Sequence, residues 1–296
     1  MATVEHAVRY QSRTRSARLV GFITRSPLHL VLVGIAVIWL VPTVGLAVTS
    51  FRPESDTSSS GWWHGIAHWN WTLQNYSSVL HGQHMSRAFV NSIVITLPAT
   101  LLPLTIGALA AYGFAWGSFP FRDTVFLFVV ALMIVPIQTS LVPLLKLFRD
   151  NGHLNNGYWG IWLAHTAFGL PLAIFLLRNF FITLPKDLIE AARMDGASDF
   201  SIFRRIVVPL SVPALASFAI FQFLWVWNDL LMALIFVSDP AKQPMTVRIT
   251  NLLSAYGHQY GLLAAAAFLL MTVPLAVFFA LQRYFVQGLL AGSVKS

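Results

Sequence analysis

The chain has 296 residues, 56% hydrophobic and only 10% charged, with a mean hydropathy of +0.68 and a net charge of +8. A soluble domain carries roughly 25% charged residues, so this chain has too little polar surface to cover itself in water, and a water-soluble globule is excluded. It has no cysteine, which excludes a disulfide framework, cysteine zinc sites and a thiol nucleophile.

Residues 1–27 form a polar tail with Arg9, Arg13, Arg15, Arg18 and Arg25. Six segments then reach the roughly 20 apolar residues that a helical span needs. The first, Leu28–Thr49, exceeds a signal-peptide core in length and no A-x-A cleavage site follows it, so it reads as a retained anchor. A polar stretch from Phe51 to Arg87 holds Trp62, Trp63, Trp69, Trp71 and Tyr76, which fit an interfacial aromatic belt. His64 and His68 stand four apart there, yet without an intervening Glu or a third ligand they define no metal site.

The second span, Ala88–Trp116, contains Asn91 and a small-xxx-small pair, Gly113 and Gly117, that hints at close helix packing. The third, Val125–Phe148, contains Gln138, and the fourth, Tyr158–Phe180, contains His165. Asn91 and Gln138 read as interhelical hydrogen-bonding groups and His165 as a satisfied core histidine. Prolines at Pro42, Pro98, Pro103, Pro136, Pro143, Pro171, Pro213 and Pro274 each remove a backbone donor, so the spans are expected to kink.

The loop 182–209 reads as two short helices joined at a glycine. Thr183 is a capping residue, Pro185 suits a first turn, Asp187 complements the dipole, and Gly196 is expected in the left-handed conformation that ends a helix. Ser198 and Asp199 restart the second helix. Leu188, Ala191, Ala192 and Asp195 share one face, small at its centre, with Glu190 and Arg193 spaced to pair. Such a face suits a groove on another protein or the lipid surface, and the residues alone leave both open.

The fifth span, Val212–Val237, carries Gln222, Trp225 and Asp229 at i, i+3 and i+7, with Asn228 beside them. A carboxylate within a span is costly and marks a functional candidate. An amide, an indole and a carboxylate also match the hydroxyls and C–H face of a sugar. Asn228 and Asp229 fit equally a cap on a broken segment or a link to a partner chain. The sixth span, Leu262–Phe285, closes a permease domain, 28–286, and a tail, 287–296, follows.

With the N-terminus inside, thirteen Lys and Arg lie on the inner side and six on the outer, which places both termini in the cytoplasm. The basic excess is then a topology signal, and nucleic acid is not an expected partner. No lysine follows a glycine, so the chain has no P-loop, and it has no HExxH, no GxSxG and no paired acids inside a span. No catalytic residue and no cofactor of its own is expected, and a proton- or sodium-driven secondary transporter would have only Asp229 and His165 to work with.

Glu190-Ala191-Ala192, Asp195-Gly196-Ala197, Ile206 and Pro209 closely resemble the "EAA" loop of bacterial ABC importer permeases. Trp71 to Tyr76, Asn91-Ser92, Trp225 to Asp229 and Tyr284 to Gly288 extend the resemblance to the maltose-type carbohydrate permeases, on the MalG-like side. That resemblance implies an all-α integral membrane bundle of six transmembrane helices, of the MetI/MalG type, in a bacterial inner membrane. It further implies a MalF-like second permease, two ATPase subunits that bind ATP and Mg, and an extracytoplasmic solute-binding protein, for which the Trp-rich outer loop offers a docking surface. The loop 182–209 would hold a coupling helix seated in a cleft of one ATPase, and the tail would reach the ATPase interface. A di- or oligosaccharide is the implied substrate, with glycerol phosphate or another polyol the alternative, and the MalF-like partner is expected to supply most sugar contacts.

Overall fold

A computed structural model describes the backbone of residues 15–291 apart from 69, 83, 151–153 and 155–156, and side chains between 28 and 282. The expected roles of Trp69, the N-terminal arginines and the tail from Gln287 to Ser296 fall outside the side chains described. Among the described residues the chain is helical, with no strand.

Among the described residues, four helices are long and apolar enough to cross a membrane. They are α1 (Arg15–Ser50), α2 (Met85–Trp116), the helix Tyr158–Phe181 and the helix Tyr260–Ala291. Between them, α3 (Arg122–Ala131) and α4 (Ile137–Asp150) form the third span, bent by 100° where a short 3-10 turn, Leu132–Ile134, runs into Pro136. Tyr158–Phe181 is α5, and α6 (Lys186–Met194) follows it. Asp199–Leu210 then leads through a 78° bend into α7 (Val212–Trp227). After α8 (Leu231–Phe236) and α9 (Met245–Tyr256), Tyr260–Ala291 is α10.

The apolar run expected as one fifth span is divided. Sixteen residues of α7 rise only about 24 Å, short of a hydrocarbon core of about 30 Å. The chain breaks at 228–230 before α8 begins. Prolines behave unequally: Pro98, Pro103, Pro171 and Pro274 sit inside continuous helices, whereas Pro136 marks the sharp bend.

The core is centred on α2 and α5, which pack along their length. They come close at Gly107, where an added Cβ would lie 2.5 Å from the Cβ of Ala173. Gly113, by contrast, faces open space, so the expected Gly113/Gly117 contact is not where helices meet. With no hydrophobic drive between helices in lipid, such small-residue contacts let backbones close up. Helices α7 and α10 complete the bundle, while only 6% of the Leu28–Ser50 span is buried, so most of α1 faces lipid or another chain.

Candidate functional site

The loop 182–209 is built much as its residues dictate. Pro185 precedes α6, Asp187 lies in its first turn, and Arg193 in its last. Gly196 has φ +79°, its N–H bonds to Arg193 O at 3.0 Å, and Ala197 N–H reaches Ala192 O at 3.0 Å. This is the paired closure of a Schellman motif. Ser198 Oγ then accepts from Ser201 N–H to start the next turn. Thr183 does not cap α6; its hydroxyl donates back to Phe180 O at the end of α5.

One face of α6 is anchored. Ile189 is 1% exposed and, with Ala192 and Ala197, packs against Tyr112 of α2, Leu177 and Phe181 of α5, and Ile202. Arg193 does not pair with Glu190. It donates to Trp116 O at 3.1 Å and to Asp199 Oδ1 at 3.2 Å, and Asp199 also accepts from the Tyr112 hydroxyl. The helix is thereby tied to the end of α2. The opposite face is open: Glu190, Ala191 and Asp195 are exposed, Leu188 is 47% exposed and Met194 88%. Ala192 therefore belongs to the inward face, contrary to the single face read from the spacing. Met194 and Phe200, both prominent on the open side, escaped the sequence reading because an apolar residue in a periodic segment reads first as core. Ile206 is half-buried and Pro209 exposed.

Across the bundle, the bend at 134–137 parts α3 and α4 from α5 and α7. A cavity of about 410 Å³ lies there, lined by Met133, Ile137, Phe168, Gly169, Gln222 and Trp225 among others. Gln222 is fully buried. Its Nε2 donates to Ala99 O at 3.2 Å, while Oε1 has no hydrogen-bond partner. Asn228 and Asp229 do not line this cavity. With α7 ending at Trp227, the i, i+7 stripe does not continue to Asp229. Instead Asn228 Nδ2 donates to Leu224 O, and the Asp229 carboxylate accepts Met232 N–H at 3.3 Å and Ala233 N–H at 3.0 Å.

Beside the break, His165 is fully buried with neither ring nitrogen hydrogen-bonded, so it is not the satisfied core histidine expected. It stands edge-on to Trp225, with centroids 5.5 Å apart. Asn91 does make long-range bonds, to Ala241 O and Gln243 O and from the Tyr158 hydroxyl, whereas Gln138 is exposed.

The loop between α1 and α2 folds on itself. Trp71 stacks on Phe51 and donates to Gly65 O, and the Tyr76 hydroxyl meets Ser50 Oγ at 2.7 Å. Burial pushes the Tyr76 phenol above its usual pKa, against the Ser50 hydrogen bond. On the 228–259 side, the Ala241 N–H bonded to Asp239 holds that carboxyl below its usual range.

Residues 103–290 match the family described as "Binding-protein-dependent transport system inner membrane component". The chain belongs to that family. The osmoprotective compounds uptake permease protein GgtD of Synechocystis is 50% identical over 98% of this chain and 99% of its own. The alpha-glucoside transport system permease protein AglG of Rhizobium meliloti is 54% identical over 76% of this chain, of which 60% of the longer relative is covered. A solved bacterial ABC transporter involved in import of the acidic polysaccharide alginate shares the fold, with a TM-score of 0.74 at 23% identity over 92% of this chain and 98% of that one. As a binding-protein-dependent permease, the chain is a multi-pass membrane protein of the ABC importer class.

Proposed function

We propose that this permease forms half of the translocation path of an ATP-driven importer for a neutral di- or oligosaccharide, with α-glucosides the first class to test. The observation that carries the reading is the family match together with 54% identity to a relative named for alpha-glucoside transport. The relative named for osmoprotective compounds, 50% identical over 98% of this chain, makes such solutes the second class to test, and an ion-coupled mechanism has no comparable support.

In this reading both termini are cytoplasmic and a homologous permease completes the path. Two ATPase subunits hold ATP and Mg, and a solute-binding protein delivers the sugar from outside. Glu190, Ala191, Asp195 and Gly196 present the coupling surface, while Ala192, Ala197 and Ile206 fasten it to the bundle and Pro209 stands at its exit. Ile189 and the Arg193, Tyr112 and Asp199 bonds make α6 a lever rather than a tether. Motion imposed on the open face passes to α2 and α5 as a rigid body, and the spans rock. Gln222 and Trp225 belong to the substrate path, and Asn228 and Asp229 support it from the break.

The test is reconstitution with the partner permease, ATPase and binding protein. Maltose or trehalose should be taken up and should stimulate ATP hydrolysis, with uptake blocked by vanadate and indifferent to uncouplers. Uptake that collapses with uncouplers and ignores vanadate would reject the reading.

A further inference from the structure

We infer that the cavity at the 134–137 bend is a saccharide subsite within this chain, holding one sugar ring against Trp225 with a hydroxyl donated to Gln222 Oε1. The inference rests on the carbohydrate-import reading and goes beyond it. That reading requires a path between two permeases and does not say that this one discriminates among sugars.

Three observations converge. The cavity, about 410 Å³, lies within the 300–1,000 Å³ range of small-molecule sites, and its wall is mostly apolar and aromatic with one amide. That amide is fixed on one side only. Nε2 is held by Ala99 O, which orients Oε1, and Oε1 is an acceptor left without a donor in a fully buried side chain. An unsatisfied buried acceptor is costly, so a resident group of this kind calls for a partner in some other step of the cycle. Finally, Gly169 makes room for it. A Cβ there would stand 2.8 Å from Nε2 and 2.9 Å from Oε1, so the amide lies directly on bare backbone.

The chemistry selects the occupant. A lipid tail could fill the apolar wall but has no donor for Oε1. A cation would find no carboxylate among the side chains lining the cavity. A sugar ring offers both an apolar C–H face for the indole and O–H donors for the amide oxygen. The acceptor is closed off in this conformation, as one subsite of an alternating-access path must be in part of its cycle. Rocking of α3 and α4 away from α7 would open it.

The experiment is a cycle between ligand and protein in the reconstituted complex, using maltose, trehalose and their monodeoxy derivatives. Discrimination by the binding protein is common to wild type and variant and cancels in the comparison. For at least one monodeoxy derivative, the wild-type preference for the parent sugar should exceed the preference shown by Gln222→Met about 5–10-fold. Trp225→Phe should raise KM several-fold, and it carries the test if Gln222→Met fails to assemble. Equal discrimination by wild type and Gln222→Met, or an unchanged KM in Trp225→Phe, would overturn the subsite and leave the importer reading intact. A wild-type complex that moves no saccharide would overturn both.

Discussion

His165 Nε2 stands 3.7 Å from Asp229 Oδ2, beyond hydrogen-bond reach, with Asp229 already committed to the N–H groups of Met232 and Ala233. The two residues therefore differ in what they stabilise. Asp229 acts as the cap that restarts helix after the break at 228–230, and losing a cap costs about 0.5–2 kcal/mol. His165 contributes packing and two unsatisfied nitrogens. Asp229→Ala should lower the thermal stability of the purified complex by that amount, with Asp229→Asn intermediate. His165→Phe should be nearly neutral, because it replaces a buried polar ring that has no partner. Thermal unfolding in detergent, followed by a tryptophan or dye signal, measures all three.

At the α2–α5 crossing the prediction concerns volume. An added methyl at Gly107 would stand 2.5 Å from the Cβ of Ala173, so Gly107→Ala should destabilise by about 1–3 kcal/mol, the cost of overpacking a tight contact. Exchanging the pair, Gly107→Ala with Ala173→Gly, should recover most of the loss. A double-mutant cycle on thermal stability reads the coupling, and additive losses would contradict the assignment.

Gly196 supplies a backbone prediction free of crowding. Its φ is +79°, and an added Cβ would meet nothing within 4 Å. Within this chain a substitution there should act through left-handed strain, about 1–2 kcal/mol. Transport should fall in the order Gly, Asn, Ala, Val, since Asn tolerates this conformation better than Ala and a β-branched residue worst. Membrane abundance should remain near wild type. Uptake and sugar-stimulated ATPase activity, measured together, check whether the defect lies in coupling.

Loop 182–209 was legible because helix caps are local: proline before, glycine after and serine restarting are signals within a few residues. The division of the fifth span was half legible, since a cap on a broken segment was one of two readings of Asn228 and Asp229. No glycine or proline marks 228–230, and the break is sustained by Asn228 reaching back to Leu224 O, Asp229 reaching forward, and Thr246 donating to Asp229 O. That last contact comes from α9, seventeen residues on. The cavity was half legible. Gln222 and Trp225 could be named from their polarity inside an apolar run, but Phe168, Gly169 and Met133 gather around them only through tertiary packing. Arg193 shows the same limit: its spacing favours Glu190, and the fold gives it Asp199 and a carbonyl on α2.

The loop between α1 and α2 supplies the last prediction. Arg52 is 4% exposed, and its guanidinium donates to Ser60 O, Gly61 O, Asp56 O and Ser60 Oγ, so one buried cation gathers the turn between Phe51 and Gly61. No carboxylate oxygen is among these partners, and the positive charge is dispersed over carbonyl dipoles in a planar fork. Lysine has a single ammonium and cannot reproduce that fork. Arg52→Lys should therefore loosen the loop nearly as much as Arg52→Ala. Gly65→Ala should loosen it too, because a Cβ there would lie 2.6 Å from the Arg52 side chain. Limited proteolysis should cut the 51–77 region faster in all three variants. Uptake should fall with it if this loop receives the binding protein, while basal ATP hydrolysis stays unchanged. Proteolysis of Arg52→Lys at the wild-type rate would show that charge, rather than the geometry of the fork, holds the loop.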